Sequence, residues 1–141
     1  MSVNCGSYCF TTGLTNYEFI NQVEIGSLDN ISGNNYGYGD FTNMNLRASA
    51  KRRYCTQALT PGFAGGSYSE AWRIWIDINQ DQDFDDAGEL VFSGGPSAAA
   101  VSGTMNIPSS AASPVNKDAG SICGISAPPT TVVLSLVKLY G

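Results

Sequence analysis

The stretch E-A-W-R-I-W-I-D-I-N-Q-D-Q-D-F-D-D-A-G-E-L-V-F, Glu70 to Phe92, decides the fold. Its opening residues alternate, with Trp72, Ile74 and Ile76 separated by Arg73 and Trp75, and Leu90 and Phe92 bracket Val91 at its close. Period-two alternation marks strands, so the segment between them joins two strands and not two helices. That segment, Asp77 to Glu89, holds six of the chain's twelve carboxylates in thirteen residues. Oxygen-bearing side chains recur at alternate positions, Asp77, Asn79, Asp81 and Asp83, a spacing that lets one tight loop wrap a hard cation wanting six to eight oxygens. The cofactor expected is Ca²⁺. The candidate ligands are Asp77, Asn79, Asp81, the main-chain carbonyl of Asp83, and one or more of Asp85, Asp86 and Glu89. The spacing matches the start of an EF-hand loop and then departs from it. Gln82 stands at the sixth position, where glycine makes the sharp turn, and Gly88 at the twelfth, with Glu89 one residue late. A non-glycine residue at a positive-φ position is strained, so moderate affinity is expected. The alternative is a solvated acidic turn, because blocks of like charge repel and stay mobile. The alternate spacing, with an apolar strand directly against each end, favours the metal.

The 141 residues suit a single domain, residues 1–141, able to bury its own core. The formal charge is −5, and without the six loop acids seven basic residues face six acidic ones, so the acidic balance belongs to the loop. Only 13% of residues are charged, while glycine, serine, threonine and asparagine abound, a composition of turn-rich extracellular all-β proteins. The basic cluster Arg47, Lys51, Arg52 and Arg53 has one aromatic neighbour, Tyr54, and reads as a solvated strand edge, so no nucleic-acid partner is expected. No apolar run approaches a membrane span, and Met1-Ser2-Val3-Asn4-Cys5 lacks the basic and apolar regions of a signal peptide. Cys5, Cys9, Cys55 and Cys123 are even in number and the chain has no histidine. That combination argues for disulfides in an oxidising compartment, with three connectivities open, over a zinc site. Asn30-Ile31-Ser32 is a possible glycan acceptor in a polar loop.

Along the chain the patterning is of strands and loops. Tyr17 to Ile25 reads as a strand with mixed faces, Ile20, Gln22 and Glu24 opposite Asn21, Val23 and Ile25. Gly33 to Asp40 reads as a turn-rich loop carrying Tyr36 and Tyr38, and Leu59 to Ser67 as a second loop, announced by Pro61-Gly62 and Gly65-Gly66. Ser93-Gly94-Gly95-Pro96 is expected to turn the chain, Val101 to Ile107 to form a strand ended by Pro108, and Ser109 to Gly120 to connect irregularly. Thr130 to Tyr140 is the most β-prone run of all. It is expected as a central strand laid down last, with pairing to an open edge of another copy as the alternative.

These residues resemble the GEVED domain, a β-sandwich module of secreted bacterial proteins. Tyr8-Cys9 is similar to the family's opening pair, Tyr17 through Gly26 to its first strand, and Ser32 through Thr42 to its glycine-rich loop. Trp75 through Phe92 is the most specific match. Arg47 to Gln57 departs from the family's alternating strand, and the tail after Ala112 lacks the Gly-Glu-Val-Glu-Asp motif, although Cys123-Gly124 resembles the cysteine that precedes it. The resemblance implies an antiparallel, jelly-roll-like β-sandwich with long Gly/Asn/Ser-rich loops, a calcium site, and a secreted or cell-surface setting. A Cys9–Cys123 bridge would tie the ends of such a chain together.

Without histidine no Ser-His-Asp or Cys-His arrangement is possible, and the carboxylates outside the loop form no marked pair, so no enzyme is expected. The function expected is a calcium-stabilised extracellular module with a structural, adhesive or assembly role, with a filament subunit built by β-strand addition as a variant. Its partners would be other copies of itself or a cell-surface or matrix protein. The second reading is a carbohydrate-binding module, a polysaccharide stacking on Tyr36, Tyr38 and Tyr68, with Trp72 as a further candidate.

Overall fold

The computed structural model describes residues 14–26, 28–36, 38–47, 54–76, 84, 86–106, 118–124 and 134–140, giving the backbone alone for 38, 40, 42–47, 54–55, 118–124 and 134–140. These residues form nine strands and, among them, no helix: β1 (Glu18–Ile25), β2 (Leu28–Ile31), β3 (Tyr38–Arg47), β4 (Tyr54–Phe63), β5 (Glu70–Ile76), β6 (Leu90–Ser97), β7 (Val101–Asn106), β8 (Asp118–Gly124) and β9 (Leu134–Tyr140). One sheet has the order β2-β1-β4-β7 and the other β3-β9-β8-β5-β6. Ile20, Val23, Ile25, Leu28, Leu59 and Met105 of the first sheet share one buried cluster with Trp72, Ile74 and Ile76 of the second. Each large aliphatic side chain so buried contributes about 1.5 to 3 kcal/mol. The protein is an all-β sandwich, antiparallel in every ladder but the parallel one between β3 and β9.

β1 resolves its mixed faces through an irregularity. Its ladder with β4 shifts register between Ile20 and Gln22, and the extra residue reverses the side-chain parity. Ile20, Val23 and Ile25 therefore all face the core, at 5% exposure or less. β2, which no alternation announces, adds Leu28 and Asn30 to the buried side.

Two expected turns are strands. Leu59 to Phe63 continues β4, because β4 pairs with β7 only as far as Leu59 but with β1 out to Phe63. Pro61 lies beyond the last β7 pair, so its missing N–H leaves no gap in that ladder. Gly62 is required there because a Cβ would collide with the ring of Phe19. Ser93 to Pro96 lies within β6, an edge strand of the second sheet, where proline is tolerated. Its Gly95–Pro96 bond is cis and Gly95 has φ +89°. The chain then crosses to β7, the edge of the first sheet, through a turn in which the Ala99 N–H donates to Ser97 Oγ at 3.0 Å.

The apolar terminal run is the interior strand expected of it. β9 lies between β3 and β8, parallel to the one and antiparallel to the other. It spans Leu134 to Tyr140, and Thr130 to Val133 lie outside the described residues. β8 starts at Asp118, where an irregular connection was expected to run on to Gly120.

Candidate metal centre

The acidic segment connects β5 to β6, an antiparallel pair whose ladder runs from Glu70↔Ser97 to Trp75↔Leu90. Of the candidate ligands, Asp77, Asn79, Asp81, Asp83 and Asp85 lie outside the described residues. Asp86 and Glu89 lie inside them, at the return of the loop. Glu89 is 0% exposed and among the largest wholly buried side chains. Its backbone is pinned on both sides: the Ile76 N–H donates to its carbonyl at 2.8 Å, and its own N–H donates to the Asp86 carbonyl at 3.2 Å. The Asp86 N–H in turn donates to Glu89 Oε2 at 3.2 Å. Gly88, with φ +97°, makes the turn between them.

These bonds anchor the loop's last residues to the last residue of β5. They hold a wholly buried carboxylate at the end of a sequence segment dense in further oxygen donors. A carboxylate taken out of water costs several kcal/mol unless hydrogen bonds and positive charge offset it. Carboxylate and carbonyl oxygens suit Ca²⁺ and not the soft metals that thiolates select. The residues present therefore fit a hard divalent cation, although among the described residues alone no group of three or more His, Cys, Asp or Glu converges.

The aromatic candidates separate. Tyr36 is 90% exposed and holds φ +61°, with its N–H donating to Asn34 Oδ1 at 3.1 Å, the local bond by which asparagine makes such turns. Tyr38 begins β3, and its side chain is outside the description. Tyr68, 46% exposed, meets Tyr17 edge-to-face at 6.2 Å and Phe63 at 6.3 Å. Trp72, at 7% exposure, is a core residue and offers no face to a sugar. Tyr17 and Phe63 were not anticipated as partners of Tyr68. They meet because the β1–β4 ladder continues into a hydrogen bond from the Ala64 N–H to the Tyr17 carbonyl at 2.9 Å, a pairing with no local signal. At this end of the sandwich Glu70 sits above the usual carboxylate range, raised by burial and then by the charge of Glu18.

Asn30 is 4% exposed on β2. Its amide is turned inward and not presented to solvent as a glycan acceptor. Cys55 falls on β4 and Cys123 on β8, in different sheets, while Cys5 and Cys9 lie outside the described residues.

The strand, loop, strand order around the acidic connection is where the comparison with protein families reports its match. Residues 71–117 match the GEVED domain. The matched segment thus takes in most of β5, the acidic loop, β6 and β7, including the stretch whose resemblance was the most specific. No curated protein and no solved structure matches the chain.

Proposed function

We propose that the protein is a non-catalytic, calcium-stabilised module of the cell surface or secreted matrix, with a structural, adhesive or assembly role. Its partners are further copies of itself or another surface protein. The observation that carries this reading is Glu89: a wholly buried carboxylate, hydrogen-bonded to the backbone of the loop and tied to the end of β5, at the close of the sequence segment richest in acids. Ca²⁺ bound here would neutralise the loop and hold β5 against β6. Loss of the ion would leave like charges repelling within one connection. Thermal melts in excess chelator and in millimolar Ca²⁺ test this. The ion raises stability by about 3 to 4 kcal/mol at a hundred to a thousand times Kd, and Asp77→Ala or Asp81→Ala lowers Tm in Ca²⁺ alone. Equal losses in chelator would refute those two ligands.

The exposed corner formed by Tyr17, Phe63 and Tyr68 supports a second reading, a carbohydrate-binding face with Glu18 and Glu70 beside it. Affinity electrophoresis against a set of polysaccharides separates the two. Retardation abolished by Tyr68→Ala would favour this second reading, and unretarded migration in every gel would leave the structural module.

A further inference from the structure

The last two strands occupy the middle of a sheet whose other members come from the first two-thirds of the chain. In the order β3-β9-β8-β5-β6, the hairpin Asp118–Tyr140 separates β3 from β5. Removing it would leave β3 with no neighbour in its sheet and β5 with an open edge, and unpaired edges recruit strands. The hairpin's attachments are unequal. It joins β5 only over Ile74–Ile76 against Ile122–Gly124, whereas its internal ladder spans Asp118–Cys123 against Leu136–Tyr140 and its ladder with β3 runs from Tyr38↔Leu134 to Arg47↔Tyr140. Exchanging the hairpin as a unit keeps its longer internal ladder intact, and moving β9 alone would break that ladder as well as the one with β3.

We propose that the β8–β9 hairpin of one copy occupies this slot in a second copy, so that copies assemble by exchanged hairpins. Every ladder formed between copies is one already made within the chain, so exchange sacrifices none of the pairing and costs chiefly association entropy and the rearrangement of the hinge. The exchange would hinge on the stretch of sequence between β7 and β8, residues 107–117, which reads I-P-S-S-A-A-S-P-V-N-K, small and polar with two prolines. Proline and the residue before it favour extended backbone, and eleven residues reach at most about 36 Å, several times the strand spacing of about 4.8 Å. Reciprocal exchange closes a dimer. One-way donation leaves a free slot and a free hairpin, and grows a chain. This deepens the assembly role proposed above and rests on it, while requiring no calcium.

The register supplies the test. Trp75 on β5 faces Cys123 on β8, and facing residues of antiparallel strands lie about 4.5 to 5.5 Å apart, within disulfide reach. Two full-length variants, both with Cys5, Cys9 and Cys55 replaced by serine, are co-refolded and oxidised. One carries Trp75→Cys and Cys123→Ser, and the other keeps Trp75 and Cys123. The expected result is a covalent heterodimer whose peptide map joins position 75 of one copy to Cys123 of the other. A third variant carries Trp75→Cys with Cys123 in the same chain, oxidised as a monomer to lock the hairpin home. It should lose the multimers that light scattering detects for the unaltered protein. A monomeric unaltered protein, with no 75–123 pair between copies, would overturn the proposal. Both experiments are run in Ca²⁺ and in chelator. Exchange in both, with no thermal shift, keeps this inference and discards the calcium site; a thermal shift without exchange does the reverse.

Discussion

The two sheets are built differently. The first, β2-β1-β4-β7, is built around β4, which pairs with β1 from Gln57 to Phe63 and with β7 from Tyr54 to Leu59. The second carries the acidic connection between β5 and β6 and receives its two central strands from the end of the chain. The first sheet depends on burial and backbone pairing, while the second takes an inserted hairpin and, on the function proposed above, would depend also on an ion. Local opening free energies differ within one protein for such reasons, and the acidic connection and the exchangeable hairpin both belong to the second sheet.

The largest expected effect tests that contrast directly. Withdrawing Ca²⁺ should lower amide-exchange protection in β5 and β6 by about 3 to 4 kcal/mol, the stabilisation lost with the ion, and leave β1 and β4 nearly unchanged. Equal loss in both sheets would erase the distinction. Next, Met105→Ala should cost about 3 kcal/mol, because Met105 is wholly buried on the first sheet. The cost should be the same in Ca²⁺ and chelator by denaturant titration, and a calcium-dependent cost would couple the sheets.

Gly95→Ala comes third, at about 2 kcal/mol. A Cβ at this positive φ would collide with the Glu70 carbonyl. The loss should appear as a lower denaturant midpoint with exchange opening at the Glu70 end of the β5–β6 ladder, far from the metal loop. Fourth and smallest is Glu70→Gln. Burial first, and Glu18 second, raise the Glu70 carboxyl, so the folded chain holds this proton more tightly than the unfolded one. Stability from this group is present below the ordinary carboxylate range and is lost as pH rises through the raised value. At neutral pH the substitution should therefore raise stability slightly, by less than about 1 kcal/mol after solvent screening. The difference should vanish in acid, and a constant difference across pH would assign it to packing.

Legibility followed locality. The β5 pattern, Glu89 as a ligand candidate and the terminal strand could be read because each is written in consecutive residues. Pro61-Gly62 and Gly94-Gly95-Pro96 misled for the same reason. Both are turn signals within a few residues, yet each lies where a strand has a free flank, and only the neighbouring strands define a free flank. Tyr17 and Phe63 escaped notice as neighbours of Tyr68 because they are brought to it by a ladder between distant segments.

By itself the sequence determined an all-β chain, an acidic connection between two strands with oxygen donors at alternate positions, and a resemblance to the GEVED domain, which the family match meets at residues 71–117. Alternation, charge density and motif spacing are properties of contiguous residues, and one segment can express them alone. Only the tertiary structure decided that a register shift turns Ile20 and Val23 to the same side, that Asn30 and Trp72 face inward, that Glu89 is wholly buried, and that the final hairpin sits between β3 and β5. Burial and sheet position are properties of pairs of segments far apart in the chain, and they are settled by which ladders close around a shared core.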